Sequence, residues 1–209
     1  MKTPLNATTL RSHLTYNWWK YVLVVILAWF GVDLLYTVTA YRTPPELKVD
    51  FYVYGYTNET AMDEYMESVR VNEMADMEEM NCLTIVTDQT YGPMQLMTYV
   101  AAGEGSLYLL PREQFLSMAA QQGLLPMEDD EELMAIFNEA GISLQSGWRT
   151  VTETGETHLF GIPQDKLPGL TQMAYAQDGY VVLNVTSRNE ENARKFLRIL
   201  CRDMITAKE

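Results

Sequence analysis

An apolar stretch near the amino terminus is the strongest hydrophobic pattern in the sequence. Residues 21–38 (YVLVVILAWFGVDLLYTV) contain a single charge, Asp33, and about 17–25 apolar residues are enough for a helix to cross a bilayer. Two tryptophans precede the stretch and two tyrosines lie at its end, as is typical of membrane–water interfaces. The pattern therefore predicts a transmembrane helix over residues 18–40, with the lipid bilayer as its partner.

The charges that flank this helix predict its orientation. Lys2, Arg11 and Lys20 lie before it with no acidic residue among them, and positive charge favours the cytoplasmic side. We therefore expect a single-pass protein of the cell membrane with a cytoplasmic amino terminus. The predicted organisation is a cytoplasmic tail over 1–17, a signal anchor over 18–40, a linker over 41–46 and an extracellular domain over 47–209.

Two alternatives remain for the apolar stretch. Residues 38–40 (VTA) have small or β-branched side chains, so a peptidase could cleave a signal peptide after Ala40. A buried core helix is the other alternative. The sequence alone does not decide between them and an uncleaved anchor.

Beyond residue 46, β-branched or aromatic runs alternate with amphipathic ones. This spacing predicts strands over 47–56, 82–87, 106–110 and 180–186, a hairpin over 148–162, a loop over 163–179, and helices over 58–80, 93–102, 111–122, 129–140 and 189–205. Repeated strand–helix units favour parallel strands with helices on both faces. The expected fold class is therefore α/β, with a mostly parallel sheet.

The charge balance and the rarity of reactive residues exclude several functions. Residues 43–209 hold 27 acidic and 11 basic side chains, a net charge of −16, which argues against nucleic-acid binding. The only histidines are His13 and His158, and no nucleophile, phosphate-loop or metalloprotease motif is present. We therefore expect no catalytic residue, no metal and no cofactor. Cys82 and Cys201 are the only cysteines, and whether they form a disulfide is left open.

Four segments carry a resemblance to a known family. They are residues 101–110 (AAGEGSLYLL), 115–127 (FLSMAAQQGLLPM), 161–170 (GIPQDKLPGL) and 181–200, which includes Ser187, Asn189, Glu191, Asn192, Ala193, Phe196 and Leu197. In this order they resemble lobe one of the extracellular solute-binding proteins of ABC importers, which have the type 2 periplasmic-binding-protein fold.

The resemblance implies a binding protein that is shorter than the members of that family. Members of that family hold a solute between two lobes, whereas residues 43–209 suffice for one lobe. The expected function is therefore a membrane-anchored, non-enzymatic extracellular module that binds a protein partner or a ligand. The alternative is a compact solute receptor that delivers a sugar or a peptide to an ABC transporter.

The predicted sheet also indicates where a ligand would lie. In parallel α/β sheets, ligands bind beyond the carboxyl ends of the strands. Aromatic rings with a few polar groups suit a sugar or a peptide. The candidate ligand-binding residues at these positions are Tyr54, Tyr56, Thr57, Asp88, Tyr91 and Arg112.

Overall fold

The chain consists of a long amino-terminal helix and an α/β domain. The structure is a computed structural model that describes residues 7–152 and 154–206. It divides into two compact units, Met1–Arg42 and Thr43–Glu209. The first unit contains one helix, α1 (Ala7–Thr39).

Helix α1 has the length and composition of a membrane span. The apolar part covers Thr15–Thr39, and none of its most apolar window is buried inside the protein. This exposure contradicts the alternative of a buried core helix. A signal sequence passes the same test of length and composition, so the choice between an anchor and a cleaved signal peptide stays open.

The elements of the second unit alternate along the chain. In order they are β1 (Lys48–Tyr54), β2 (Tyr56–Thr57), α2 (Glu59–Asn72), β3 (Glu79–Ile85), α3 (Tyr91–Ala102), β4 (Leu107–Leu110), α4 (Arg112–Ala120), α5 (Glu131–Glu139), β5 (Trp148–Thr150), β6 (Thr157–Leu159), β7 (Ile162–Pro163), α6 (Pro168–Met173), β8 (Ala174–Tyr175), β9 (Tyr180–Leu183) and α7 (Glu190–Thr206). Three short 3-10 helices lie at Pro45–Leu47, Gln145–Gly147 and Gln164–Lys166.

The central sheet is mixed, which corrects the prediction of a mostly parallel one. Its strand order is β3-β1-β4-β9-β7. Strand β1 pairs in parallel with β3 and β4, whereas β9 pairs antiparallel with β4 and β7. A parallel strand needs a crossover that returns the chain to the amino ends of its neighbours. Before β9 the chain instead forms β8, which pairs with β2 directly after β1. It therefore enters the sheet from the carboxyl ends of β1 and β4, and β9 runs the opposite way.

Side chains of β1 alternate between two apolar clusters, one on each face of the sheet. Val49, Phe51 and Val53 belong to one cluster, together with residues of α2, α5, α6 and α7. Tyr52 and Tyr54 belong to the other, together with residues of α3 and α4. Successive residues of a strand point to opposite faces. Helices thus cover both faces of the sheet, as the sequence predicts.

The helix predicted over residues 58–80 is shorter than expected. It ends at Asn72, and the chain enters β3 at Glu79. The intervening Met74 and Met77 are buried in the core, and the Met77 N–H donates to the Met74 carbonyl in a turn. Their spacing mimics a helix, but they fill the space beneath a loop.

Two other expectations for the domain have clear outcomes. Strands β5 and β6 form the predicted antiparallel hairpin. The region predicted as a loop over 163–179 contains α6 and β8 instead. Its strand is only two residues long, too short for period-two alternation to be recognised.

Cys82 and Cys201 are free thiols.

Candidate functional site

An open cleft of about 1080 Å³ lies at the carboxyl ends of β1 and β4. We call it the carboxyl-edge cleft, and its lining includes Tyr54, Tyr56, Arg112, Tyr175, Gln177 and Asp178. Of the six residues predicted from the sequence, Tyr54, Tyr56 and Arg112 line it. Thr57, Asp88 and Tyr91 are not among its lining residues.

Two exposed tyrosines stand side by side in this cleft. Strand β2 pairs with β8 so that Tyr56 lies directly opposite Tyr175, and their exposed fractions are 67% and 51%. Cross-strand neighbours on one face have Cβ atoms about 4.5–5.5 Å apart. The pair therefore presents two aromatic rings to solvent on a short two-stranded ribbon.

Close backbone contact holds that ribbon together. A Cβ atom on Gly55 would overlap the carbonyl oxygen of Tyr175. Only glycine allows this approach, so Gly55 sets the spacing between the end of β1 and the segment that carries Tyr175.

A buried amide fixes the same segment from its other side. Gln164 is 3% exposed. Its Nε2 donates to the Ala174 carbonyl at 2.5 Å, and its Oε1 accepts from the Ala176 N–H at 3.1 Å. Both polar atoms of the amide are thereby bonded to the residues on either side of Tyr175, which positions that ring in the cleft.

Tyr54 contributes a hydroxyl at the inner end of the cleft. Its side chain is buried, and a Cβ on Gly92 would overlap the hydroxyl. Burial, followed by the negative charges of Asp88 and Glu113, raises the pKa of Tyr54. The hydroxyl therefore stays protonated near neutral pH and can donate a hydrogen bond.

Arg112 places a positive charge in an otherwise acidic region. It is exposed at the first position of α4, and its backbone N–H donates to the Gln177 carbonyl at 3.3 Å. Among the residues that the structure describes, no carboxylate forms a salt bridge with its guanidinium. That group can therefore donate hydrogen bonds to a carboxylate or to hydroxyl groups of a ligand.

The other three predicted residues have local roles in the structure. Asp88 accepts the N–H groups of Thr90 and Tyr91 at 2.8 and 2.9 Å, and these bonds lower its pKa, that from Tyr91 most. Tyr91 begins α3 with its ring exposed. Thr57 Oγ1 is buried and has no hydrogen-bond partner among the residues that the structure describes.

Sequence reasoning missed the side of the cleft formed by Tyr175, Gln177 and Asp178. These residues precede β9, so their position depends on the direction of that strand. The available signal was the strand prediction at residue 180, because an antiparallel strand begins where its parallel neighbours end.

A smaller polar cavity of about 350 Å³ lies at the opposite ends of the strands. We call it the amino-edge cavity, and its lining includes Lys48, Asp50, Glu104, Ser106, Arg188 and Asn189. Lys48 Nζ lies 3.0 Å from the Asp50 carboxylate. Asn189 Nδ2 donates to the Glu46 and Lys48 carbonyls at 2.9 and 3.0 Å. Several of its polar groups thus already bond to the protein.

The structure offers no evident metal site within residues 7–152 and 154–206. In that part of the chain, no group of three His, Cys, Asp or Glu side chains is arranged to hold a metal ion. His158 instead pairs with Glu128, with Nδ1 and Oε1 2.5 Å apart. That hydrogen bond is the main cause that raises the pKa of His158.

Comparison with known proteins gives partial structural similarities. No protein-family model and no curated protein sequence matches the chain. A structure of an uncharacterized protein from Listeria monocytogenes is 14% identical, with a TM-score of 0.42, over 58% of this chain and 28% of the other. An extracellular solute-binding protein from Alicyclobacillus acidocaldarius is 17% identical, with a TM-score of 0.37, over 58% and 29%.

A third similar structure is the N-glycan transport solute-binding protein from Streptococcus pneumoniae. It is 10% identical, with a TM-score of 0.33, over 56% of this chain and 24% of the other. The chain thus matches less than a third of the length of each of these proteins. Two of the three are solute-binding proteins by name. Because all three TM-scores lie under 0.5, the function proposed below rests on this chain's own residues.

Proposed function

We propose that this protein is a non-enzymatic, membrane-anchored module whose extracellular domain binds a ligand in the carboxyl-edge cleft. The observation that carries the proposal is the pairing of exposed Tyr56 and Tyr175 in the cleft that Arg112 also lines. The ligand would have both an apolar face and polar groups, as a sugar or a short peptide does.

The composition of the cleft supports ligand binding. Tyrosine rings offer apolar area, while Tyr54, Arg112 and Gln177 offer hydrogen-bonding groups. Ligand sites commonly combine aromatic walls with a few polar groups that fix orientation.

The anchoring part of the proposal rests on α1. Its span Thr15–Thr39 is long and apolar enough for a bilayer. With positive charges before it, the positive-inside rule places the α/β domain outside the cell. If the signal peptide is instead removed after Ala40, the same domain is released without changing its cleft.

A ligand screen by thermal unfolding tests the binding role. The full chain in a mild detergent is heated with single sugars, amino acids and short peptides, and a bound ligand raises Tm by mass action. We expect a saturable rise for one chemical class. Absence of a rise with every class would overturn the proposal that the cleft binds a small ligand.

A receptor for an ABC importer is the second candidate function. The concave shape of the carboxyl-edge cleft favours it over a flat contact surface. In this role the module would release its ligand to a transporter in the same membrane. Co-purification of the full chain with transporter subunits, strengthened by the ligand found in the screen, would support it.

A further inference from the structure

The two edges of the central sheet are built very differently. Strand β7 is the edge strand on one side of the sheet. It has only two residues, both buried, and one of them, Pro163, has no N–H to donate. Strand β3 is the edge strand on the other side. It has seven residues, Glu79–Ile85, and none of them is proline. From Met80 to Thr87 the sequence also has no charge.

Long edge strands that carry a single charge at one end, as β3 does with Glu79, are unusual in soluble domains. An edge strand leaves a row of N–H and C=O groups unpaired, and proteins normally protect it with lysine, proline, a bulge or a short length. β1 pairs with β3 along all seven residues of the strand, and no strand within residues 7–152 and 154–206 pairs with the other side of β3. Leu83 and Val86 are 40% and 56% exposed beside that other side.

The two faces beside this edge have different chemistry. Leu83 lies opposite Tyr52, whose ring is 4.7 Å from that of Tyr99 on α3, so this face is aromatic and apolar around Leu83. On the α2 face, Cys82 lies near acidic side chains. Burial first, then the charges of Asp63 and Glu59, raise the pKa of its thiol to about 12.

Carboxylates flank the edge on several sides. Glu79 and Asp88 lie at the two ends of the strand and Glu59 and Asp63 lie on the α2 side, whereas Glu73 and Asp76 pair with Arg202 and Lys195 of α7. A second copy of the chain would bring the same negative charges together in an antiparallel pairing, because Glu79 at one end of the strand would approach Asp88 at the other. Charge complementarity therefore favours a basic partner over self-association.

We propose that the free edge of β3 binds an extended segment of a partner protein by strand addition. Alternate side chains of that segment are apolar, facing α3, and basic, facing Glu59 and Asp63 on α2. Main-chain hydrogen bonds supply affinity in this mode and the alternate side chains supply specificity. This site is separate from the carboxyl-edge cleft and does not depend on its function.

A designed peptide tests the proposed chemistry directly. The probe is a labelled peptide of about eight residues in which lysine and valine alternate, a length typical of a strand. Anisotropy is measured with the full chain in phosphatidylcholine nanodiscs, with empty nanodiscs as the blank. We expect saturable binding that weakens as salt rises, and much weaker binding of the matching glutamate–valine peptide.

A proline-interrupted lysine–valine peptide separates strand addition from general attraction to an acidic surface. It has the same charge but lacks a central N–H donor and cannot continue a ladder. We expect it to bind at least about tenfold more weakly, which corresponds to roughly 1.4 kcal/mol. Equal binding of the two lysine peptides would overturn the proposal.

Two matched substitutions locate the site. Leu83→Lys adds a charge at the edge, whereas Val71→Lys adds the same charge at an exposed position of α2. We expect only Leu83→Lys to weaken binding, and Thr84→Lys serves the same purpose if the first variant fails to fold. Equal effects at residues 71 and 83 would contradict the proposal. A dimeric full chain that Leu83→Lys converts to a monomer would identify a second copy as the occupant and overturn it as well.

Discussion

The two ends of the central strands differ in how their polar groups are satisfied. The amino-edge cavity is lined by Asp50 and Asn189, and Asn184 lies beside it; all three bond to neighbouring side chains or carbonyls. At the carboxyl-edge cleft, the exposed rings of Tyr56 and Tyr175 face solvent. Arg112 there forms no salt bridge among the described residues. Both ends have a cavity, but among the described lining residues only those of the carboxyl-edge cleft include exposed aromatic rings.

This difference distinguishes polar groups that stabilise the fold from polar groups that can bind a ligand. A buried polar group that is already bonded stabilises the fold, and removing its partner costs the free energy of leaving it unpaired. An exposed group contributes little to stability and is available for recognition. Substitutions at the amino end should therefore affect stability, and those in the cleft should affect binding.

The largest expected effect is on the scaffold that supports the cleft. In Gly55→Ala the new methyl group would overlap the Tyr175 carbonyl, so β2 and β8 must separate. We expect a loss of about 3 kcal/mol in the free energy of unfolding, as for overpacked sites. Chemical denaturation in detergent measures it. Gly123→Ala, whose Cβ would have its nearest contact at 3.4 Å, is the control and should change stability much less.

A smaller loss in the free energy of unfolding is expected for a substitution beside the amino-edge cavity. Asn184 is fully buried, and its Nδ2 donates to the Glu104 and Gly105 carbonyls at 3.3 and 3.2 Å. Asn184→Ala leaves these acceptors unpaired and should cost about 2 kcal/mol. The exposed Asn72→Ala is the comparison variant. A similar stability for both variants would mean that the bonded amino end does not stabilise the fold.

The pH dependence of stability tests the contribution of Asp50, which lines the amino-edge cavity. Burial is the main cause that raises the pKa of Asp50, although Lys48 and Asn81 oppose it. The native state then holds this proton to higher pH than the unfolded state, so the contribution of Asp50 to stability falls as pH rises through that interval. Denaturation of the native protein and Asp50→Asn between about pH 3 and pH 7 measures this contribution. A wild-type advantage that grows with pH would contradict the assignment.

Much of the fold follows from local patterns in the sequence. The apolar run gives α1, and the β-branched runs give β1, β4 and β9. These signals are strong because burial imposes a period on long elements. The direction of β9 was not predictable in the same way, since it depends on the two-residue pairing of β2 with β8. Pairs this short have no pattern of their own.

The candidate site was predictable to the extent that it depends on parallel strands. Tyr54, Tyr56 and Arg112 follow β1 and β4, and the strand-end rule places them in the cleft. Asp88 follows β3 but bonds to the backbone at the start of α3. Tyr175 and Asp178 come from the antiparallel side, so no rule for parallel sheets would select them.

The most direct test of the central claim compares two exposed tyrosines that differ in location. Tyr56 lines the carboxyl-edge cleft and is 67% exposed, while Tyr91 is 69% exposed outside its lining. Calorimetric titration of Tyr56→Ala and Tyr91→Ala uses the sugar or peptide with the largest shift in the thermal screen. The account predicts at least about a tenfold loss of affinity for Tyr56→Ala and little change for Tyr91→Ala. Equal losses, or a loss only at Tyr91, would contradict the assignment of the cleft as the binding site.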